Sequence, residues 1–392
     1  MVMLSKRELE QILHKARTNC LIEQRSINNM KIGTKDLKVA LSKVEGALPS
    51  KPAIAITAGL LFEVEDNNME ITATDLENTI MAKCGVSENG GKSRFVVTGK
   101  DFINLAKNLN CETVDIEPTE NEVKVSAGKS KYKFPVMDAE EFPAFPDIKD
   151  GQDIEIKGSV LNEGLNKVSF CVDKDEPRPH FRGALIDITE KEIMFVGTDT
   201  KSLALKSFAI ETGVKTKILV PVKAIALLNR IFSAQDLSIT VGKNAILVKA
   251  EGVSMVSQLL SGAEDFPEYT KVVPSKDLLS AEIDRKELKT SMDRLSIFMT
   301  ERYNKVFLDF SKDKLELSVI NPEKGEAREE MPVKYEYETA TRLAFNPMIT
   351  DFISRAEGET LHLGLKDSKS PVLFTGEDAD WKYVAMPLKT EA

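Results

Sequence analysis

The chain is poor in several residue types at once. Its 392 residues include four cysteines, three histidines and one tryptophan, and only 6% are aromatic. Cys20, Cys84, Cys111 and Cys171 form no CxxC pair, so no disulfide framework or zinc ribbon is expected, and free thiols in a reducing compartment fit best. His14, His180 and His362 stand far apart and none has a metal-ligand spacing, so no metal or other cofactor is expected. No uncharged apolar run approaches the roughly 18 residues of a membrane span. The opening MVMLSKRELEQILHKAR is charged throughout and lacks the apolar core of a secretion signal, so the expected location is the cytoplasm. The net charge of −9, taken as a total, argues against a polyanionic partner.

What the chain does contain is repetition. TATDLENTI (72–80) and VGTDTKSLAL (196–205) carry the same Thr-Asp corner, with Thr74 and Thr198 124 residues apart. DAEEFPAFPDI (138–148) is echoed by GAEDFPEYTKVVP (262–274), and Phe142 and Phe266 are again 124 apart. FVVTGKDFINLAKNL, ILVPVKAIALLNRIF and LAFNPMITDFISRA repeat an extended apolar stretch followed by a helical one, with steps of 123 from Lys100 to Lys223 to Asn346. Asn321 in LSVINPEKGEA gives the corner a third counterpart, 123 residues after Thr198. Three copies of one unit follow an N-terminal extension, and the expected divisions are 1–29 (extension, partly helical), 30–150, 151–275 and 276–392.

Each unit has the same grammar. KDLKVALSKV (35–44), VLNEGLNKVS (160–169) and DRKELKTSMDRL (284–295) place apolar residues at three- and four-residue spacing and predict opening helices. NMEITATDL, EIMFVGTDT and KLELSVIN alternate as half-buried strands. Further helices are predicted at 100–109, 223–232 and 346–355. Short connections such as SENGGK and VGKN imply antiparallel hairpins, so the fold class is α+β, with helices on one face of the sheets. The Pro/Asp-rich stretches 143–152 and 266–277 read as linkers.

The repeats also sort the charge. The six predicted helix spans carry a net +6, leaving −15 on the remainder of a −9 chain. Mixed solvated faces would explain that partition. So would a basic helical surface facing a polyanion, since a concentrated patch binds phosphates whatever the total charge.

Enzyme motifs fail on spacing. GGKS (90–93) and AGKS (127–130) lack the glycine a phosphate loop needs five residues earlier, where Val86 and Val123 stand. The acidic sets Asp138/Glu140/Glu141 and Asp173/Asp175/Glu176 would suit a Mg²⁺-dependent nuclease, yet no nucleophile–base pair accompanies them. Solvated loop charge explains them better.

The segments ATDLE, EEFPAFP, DEPRPHFRGALID, GTDTKSLAL, EDFPEYTKVVP, NPEKGEAREE, AFNPMITDF and YVAMPL, in that order, give the chain its likeness. From about Met30 onward it resembles the β sliding clamp family of bacterial DNA polymerase III. The resemblance implies three repeated domains of the DNA-clamp type, helices inside and antiparallel sheets outside, forming a six-domain ring as a head-to-tail homodimer. It implies a non-catalytic processivity factor that encircles duplex DNA without sequence preference. The implied partners are a replicative polymerase, a clamp loader and repair proteins, docked by short linear motifs. A scaffold that binds peptides without circling DNA is the alternative.

Residue by residue, the resemblance assigns DNA contact to Lys51, Lys174, Arg178 and Lys223. It assigns the ring interface to Tyr132 and Phe134 against Ile297 and Phe298. Its partner-peptide pocket maps first to Phe181, Thr198, Thr200, Lys201, Leu203, Pro267 and Val272. The same pocket continues through Asn346, Ile349, Val384, Met386, Pro387 and Leu388. Three departures stand out: Thr200, Lys201 and Ser202 replace the family's Gly-His-Arg, MPLKTEA extends past the usual MPxR end, and the N-terminal extension has no counterpart.

Overall fold

The computed structural model describes residues 29–88, 91–233, 235–275 and 278–389. The helix expected in the N-terminal extension lies outside them. Each repeat opens with a strand and a helix, continues with three strands and a fourth, and ends with a second helix and three strands. In the first repeat these are β1 (Met30–Gly33), α1 (Thr34–Val44), β2 (Gly59–Glu65), β3 (Asn68–Thr74), β4 (Asn78–Gly85), β5 (Ser93–Thr98), α2 (Gly99–Asn108), β6 (Thr113–Pro118), β7 (Glu122–Ala127) and β8 (Ser130–Pro135). The second has β9 (Gln152–Lys157), α3 (Gly158–Val168), β10 (Gly183–Ile188), β11 (Glu192–Thr198), β12 (Ser202–Ala209), β13 (Thr216–Pro221), α4 (Val222–Ile231), β14 (Asp236–Val241), β15 (Ala245–Ala250) and β16 (Val253–Gln258). The third has β17 (Leu279–Asp284), α5 (Arg285–Ser296), β18 (Val306–Ser311), β19 (Lys314–Asn321), β20 (Gly325–Pro332), β21 (Thr341–Phe345), α6 (Ile349–Arg355), β22 (Thr360–Leu365), β23 (Val372–Thr375) and β24 (Trp381–Ala385).

Local chemistry sets these elements. Helix α2 buries Phe102, Ile103 and Ala106 on one stripe, with Asp101 in its first turn and Lys107 in its last, matching the helix dipole. Asp284 caps α5 by accepting the Glu287 N–H at 2.7 Å. Helix α6 starts three residues later than the sequence spacing predicts, because Asn346-Pro347 forms a turn in which the Asn346 side chain accepts the Met348 N–H at 3.0 Å. Gly164 sits mid-helix in α3, where a Cβ would meet the Phe195 ring at 2.3 Å, so glycine is what lets α3 lie against β11. In the hairpin between β7 and β8, Gly128 has φ +60, which places AGKS in a turn.

The sheets run across the repeats. One eight-stranded sheet has the order β5-β2-β3-β4-β16-β15-β14-β9, and another β13-β10-β11-β12-β24-β23-β22-β17. The joins are alike: β4 pairs antiparallel with β16 (Ile80↔Met255) and β12 with β24 (Ala204↔Tyr383). Two four-stranded sheets remain, β1-β6-β7-β8 and β20-β19-β18-β21. Compactness follows the sheets. One unit takes the chain up to Glu155 with Gln235–Gln258, and the other takes Ile156–Ala234 with the chain from Leu259 onward.

Each unit has a core of the same pattern. Leu61, Val96 and Phe142 pack together in the first, as Leu185, Leu219 and Phe266 do in the second. The expected linker at 266–277 is therefore not a solvated tether at its start: Phe266 and Tyr269 are buried. No described helix is long and apolar enough to cross a membrane.

Candidate functional site

The repeated Thr-Asp corner closes the turn before β4 and before β12 with one set of bonds. The Thr74 hydroxyl accepts the Leu76 N–H, and the Thr198 hydroxyl accepts the Thr200 N–H, both at 3.0 Å. Asp75 Oδ1 accepts from the N–H groups of Glu77 (3.0 Å) and Asn78 (2.6 Å); Asp199 Oδ1 accepts from Lys201 (2.9 Å) and Ser202 (2.6 Å). These bonds hold Leu76 at φ 76 and Thr200 at φ 73, in the left-handed region. A β-branched residue there is strained, so the corner keeps Thr200 where glycine would sit at ease.

In the second unit the corner forms the rim of a groove. A cavity of about 270 Å³ is walled by Phe181, Leu203, Phe266, Val384 and Pro267, with Thr198 at its floor. Val272 and Met386 stand at its mouth, 38% and 42% exposed. Arg178, Thr200 and Lys201 complete the rim. A second cavity of about 250 Å³ shares Thr200, Lys201, Ser202 and Met386 with the first, so the two are lobes of one groove. Asn346, Ile349 and Leu388 line this second lobe with Phe345 and Tyr383. The C-terminal segment is laid along it by backbone bonds, Met386 N–H to the Lys201 carbonyl at 2.9 Å and Leu388 N–H to the Ala344 carbonyl at 2.7 Å.

The structure therefore gathers twelve of the thirteen expected pocket residues along one groove; Pro387 lines neither lobe. Sequence reasoning missed Phe266 as a wall, although its echo of Phe142 marked it as structurally repeated. It also missed the carboxylates Asp173, Glu176 and Asp199 along the second lobe. Asp199 could have been found, since it stands between the expected pocket residues Thr198 and Thr200; for Asp173 and Glu176 no spacing signals the placement. Arg178, assigned to DNA, lies over the Phe181 ring at 4.5 Å and donates from Nε to Glu176 at 2.7 Å, so its guanidinium also shapes the groove. That bond holds the Glu176 carboxyl below its ordinary range.

Beneath the corner, Ser202 Oγ contacts Cys171 Sγ at 3.9 Å, and burial pushes the Cys171 thiol well up, so it stays protonated. Among the described residues no three His, Cys, Asp or Glu side chains are grouped to hold a metal ion.

Apart from Arg178, the other assigned residues line neither lobe. Lys51 is exposed in the first unit; Lys174, Arg178 and Lys223, the last near the start of α4, are exposed in the second. Tyr132 and Phe134 alternate inward along β8, where Phe134 meets Phe102 with ring centroids 5.4 Å apart. Ile297 follows α5 and is 68% exposed, the largest value among the exposed large apolar side chains, with the half-buried Phe298 beside it. Lys324 donates to the carbonyls of Ile297 (3.0 Å) and Met299 (3.1 Å), and Asn321 to that of Phe298 (2.7 Å), which fixes this turn.

Comparison with known proteins agrees along the whole described chain. Family models for the DNA polymerase III beta subunit match in three parts: its N-terminal domain on residues 28–146, its central domain on 155–268 and its C-terminal domain on 270–389. The beta sliding clamp of Chlamydia pneumoniae is 26% identical over 365 residues, covering 91% of this chain and 98% of its own. The crystal structure of the DNA polymerase III beta subunit from Thermotoga maritima superposes with a TM-score of 0.86 at 26% identity, covering 93% of this chain and 100% of that one. A Pseudomonas aeruginosa sliding clamp solved bound to griselimycin gives a TM-score of 0.87 at 25% identity, covering 92% and 99%.

Proposed function

The chain belongs to the DNA polymerase III beta subunit family, and we propose that two copies of it close head to tail into a ring that slides on duplex DNA. The role is a processivity factor's, with no catalysis of its own. It links a polymerase to its template by topology, and weak phosphate contacts without base readout permit sliding. The segments 30–150, 151–275 and 276–392 act as the three clamp domains, and the cytoplasm is the compartment this work requires.

The sheet topology carries this reading. Strands β4, β12 and β20 hold equivalent places in the three repeats, as do β8, β16 and β24. Within the chain β4 meets β16 and β12 meets β24, leaving β20 and β8 as the unmatched edges. A second copy supplies the missing partner to each. Carrying the β12/β24 register over sets Lys133 opposite Glu326 and Tyr132 opposite Ala327. The outer faces suit each other, since β8 presents Lys131 and Lys133 while β20 presents Glu326 and Glu330 around Arg328. Ile297 and Phe298 supply apolar contact beside that seam.

The groove of the second unit is proposed as the docking site for partner proteins. Its apolar lobe suits Leu or Phe anchors, and its polar rim suits peptide register. Burial of about 300 Å² of ligand apolar surface yields roughly 7 kcal/mol before ordering and association costs. That margin gives exchangeable binding, as a shared dock requires. Lys51, Lys174, Arg178 and Lys223 are the proposed DNA contacts.

Loading the protein with a clamp loader onto a nicked circular plasmid, then cutting the plasmid, tests the function. A clamp stays on the circle and is lost from the linear form. A protein that remains on the cut DNA is an ordinary binder, and one that never stays on the circle but binds peptides is a scaffold.

A further inference from the structure

The groove's outer wall is a loop, Gly262–Pro274, and something must hold it at a fixed distance from β12 and β24. Its Phe266, Pro267 and Val272 line the apolar lobe. Between them sits Tyr269, 4% exposed, with its ring in the core cluster of Phe181, Leu185 and Leu219. Its hydroxyl donates to Asp187 Oδ2 on β10 at 2.8 Å and meets Met194 Sδ at 3.5 Å. Asp187 is itself buried, and its Oδ2 also pairs with Lys217 Nζ on β13 at 3.2 Å. Burial first, and then the Asp187 hydrogen bond, push the Tyr269 phenol up, so it remains a donor.

The first repeat provides an internal comparison. Glu63 and Arg94 occupy the places of Asp187 and Lys217 and form the same cross-strand ion pair at 3.1 Å, but with side chains 45% and 36% exposed. Phe145 stands where Tyr269 does, so that loop has no hydroxyl to deliver to the pair. The repeated scaffold therefore keeps the ion pair in all three copies, with Asp309 and Arg342 at 3.5 Å in the third. Where the loop walls the groove, the scaffold buries the carboxylate of the pair, though not Lys217, and adds the phenolic bond to it; the first repeat's loop instead brings Glu140 to Arg94 at 2.9 Å.

We infer that Tyr269 is a positioning residue for partner binding: its bond to Asp187 fastens the 266–272 wall to the sheet and sets the width of the apolar lobe. The inference rests on the docking role proposed for the groove. A wall held in advance spares the peptide the cost of ordering it, so loss of the fastening acts on partner affinity and leaves DNA retention alone. Asp187 serves the latch twice. It accepts the phenolic proton, and with Lys217 it keeps a buried charge compensated whether or not the groove is filled.

The test compares full-length wild-type protein with Tyr269→Phe, Asp187→Ala and the double variant, using a fluorescein-labelled hexapeptide ending in Leu-Phe. Tyr269→Phe keeps the ring in place and removes only the bond. Peptide affinity is expected to fall about threefold to tenfold through faster dissociation. Asp187→Ala should fall comparably, and the double variant no further than the worse single one. In Tyr269→Phe the Val272 amide, which donates to the Tyr269 carbonyl at 3.1 Å, should exchange faster while β10 and β13 amides do not. Wild-type affinity in Tyr269→Phe, or additive losses in the double variant, overturns the latch and leaves the docking site standing. Wild-type protein that binds no such peptide overturns the docking site and the latch together.

Discussion

Trp381 and Lys167 hold each other in two ways. The indole N–H donates to the Lys167 carbonyl at 2.9 Å, and the Lys167 ammonium lies 4.1 Å from the centre of the same ring. Trp381 opens β24 of the third repeat and Lys167 lies in the last turn of α3 of the second, so one pair clamps the joined sheet to the helix beneath it. Lys167 also reaches Glu357 at 2.9 Å, after α6. The Phe352 ring lies tilted against the indole, with ring centroids 4.5 Å apart.

Trp381→Phe removes the hydrogen bond, most of the cation–π contact and part of the packed volume. A loss of about 3 kcal/mol follows. Urea unfolding should show it as a lower midpoint; an unchanged midpoint would mean the clamp between α3 and β24 contributes nothing.

Ile297 is 68% exposed and is proposed to be covered by the second copy. Ile297→Asp should turn a dimer of the chain into monomers in sedimentation velocity at micromolar concentration. A persisting dimer would move the interface away from this turn.

The DNA contacts are proposed to be nonspecific, so their signature is salt. Lys51→Glu, Lys174→Glu and Lys223→Glu together should lower the slope of log affinity against log salt by roughly 3, about 0.9 for each lost phosphate contact, for any duplex sequence. Arg178 is left out because it also packs on Phe181. An unchanged slope would remove these lysines from the DNA surface.

Burial pushes the Cys84 thiol up to about 11, and Cys171 is raised as well. Below the ordinary thiol pKa of about 8.5 both states are neutral and stability is insensitive to this group. Above it the unfolded chain ionises first, so stability falls as pH rises toward about 11. Urea midpoints should therefore drop between about pH 8.5 and 10.5, and drop less in Cys84→Ala. An identical fall in both proteins would contradict the assignment.

The sequence disclosed much of this because a repeat shows the same pattern three times. All six described helices fall within a few residues of the stretches where apolar side chains recur at helical spacing, since one buried stripe is enough to mark a helix. The Thr-Asp corner was legible as a motif because its bonds are local, within four residues. Pairings between distant strands were not legible. Nothing in β12 or β24 announces that Leu203 faces Val384, because the paired stretches are mostly buried on both faces and so lack the strict alternation that would mark a register. For the same reason the Tyr269–Asp187 and Trp381–Lys167 contacts, 82 and 214 residues apart in sequence, appeared only in three dimensions. The groove was located by resemblance, whereas Asp173 and Glu176, noted only as an acidic set, were not anticipated as lining its second lobe.

The most direct measurement closes the ring by covalent bond. Lys133→Cys and Glu326→Cys, placed opposite each other by the repeat register, are introduced into the chain with its four native cysteines replaced, and oxidised after loading onto circular plasmid. The protein should then survive detergent on the intact circle and come off once the circle is cut. Failure to form the disulfide-linked dimer, or release of that dimer from uncut circles, would contradict two copies joined at β8 and β20 around DNA.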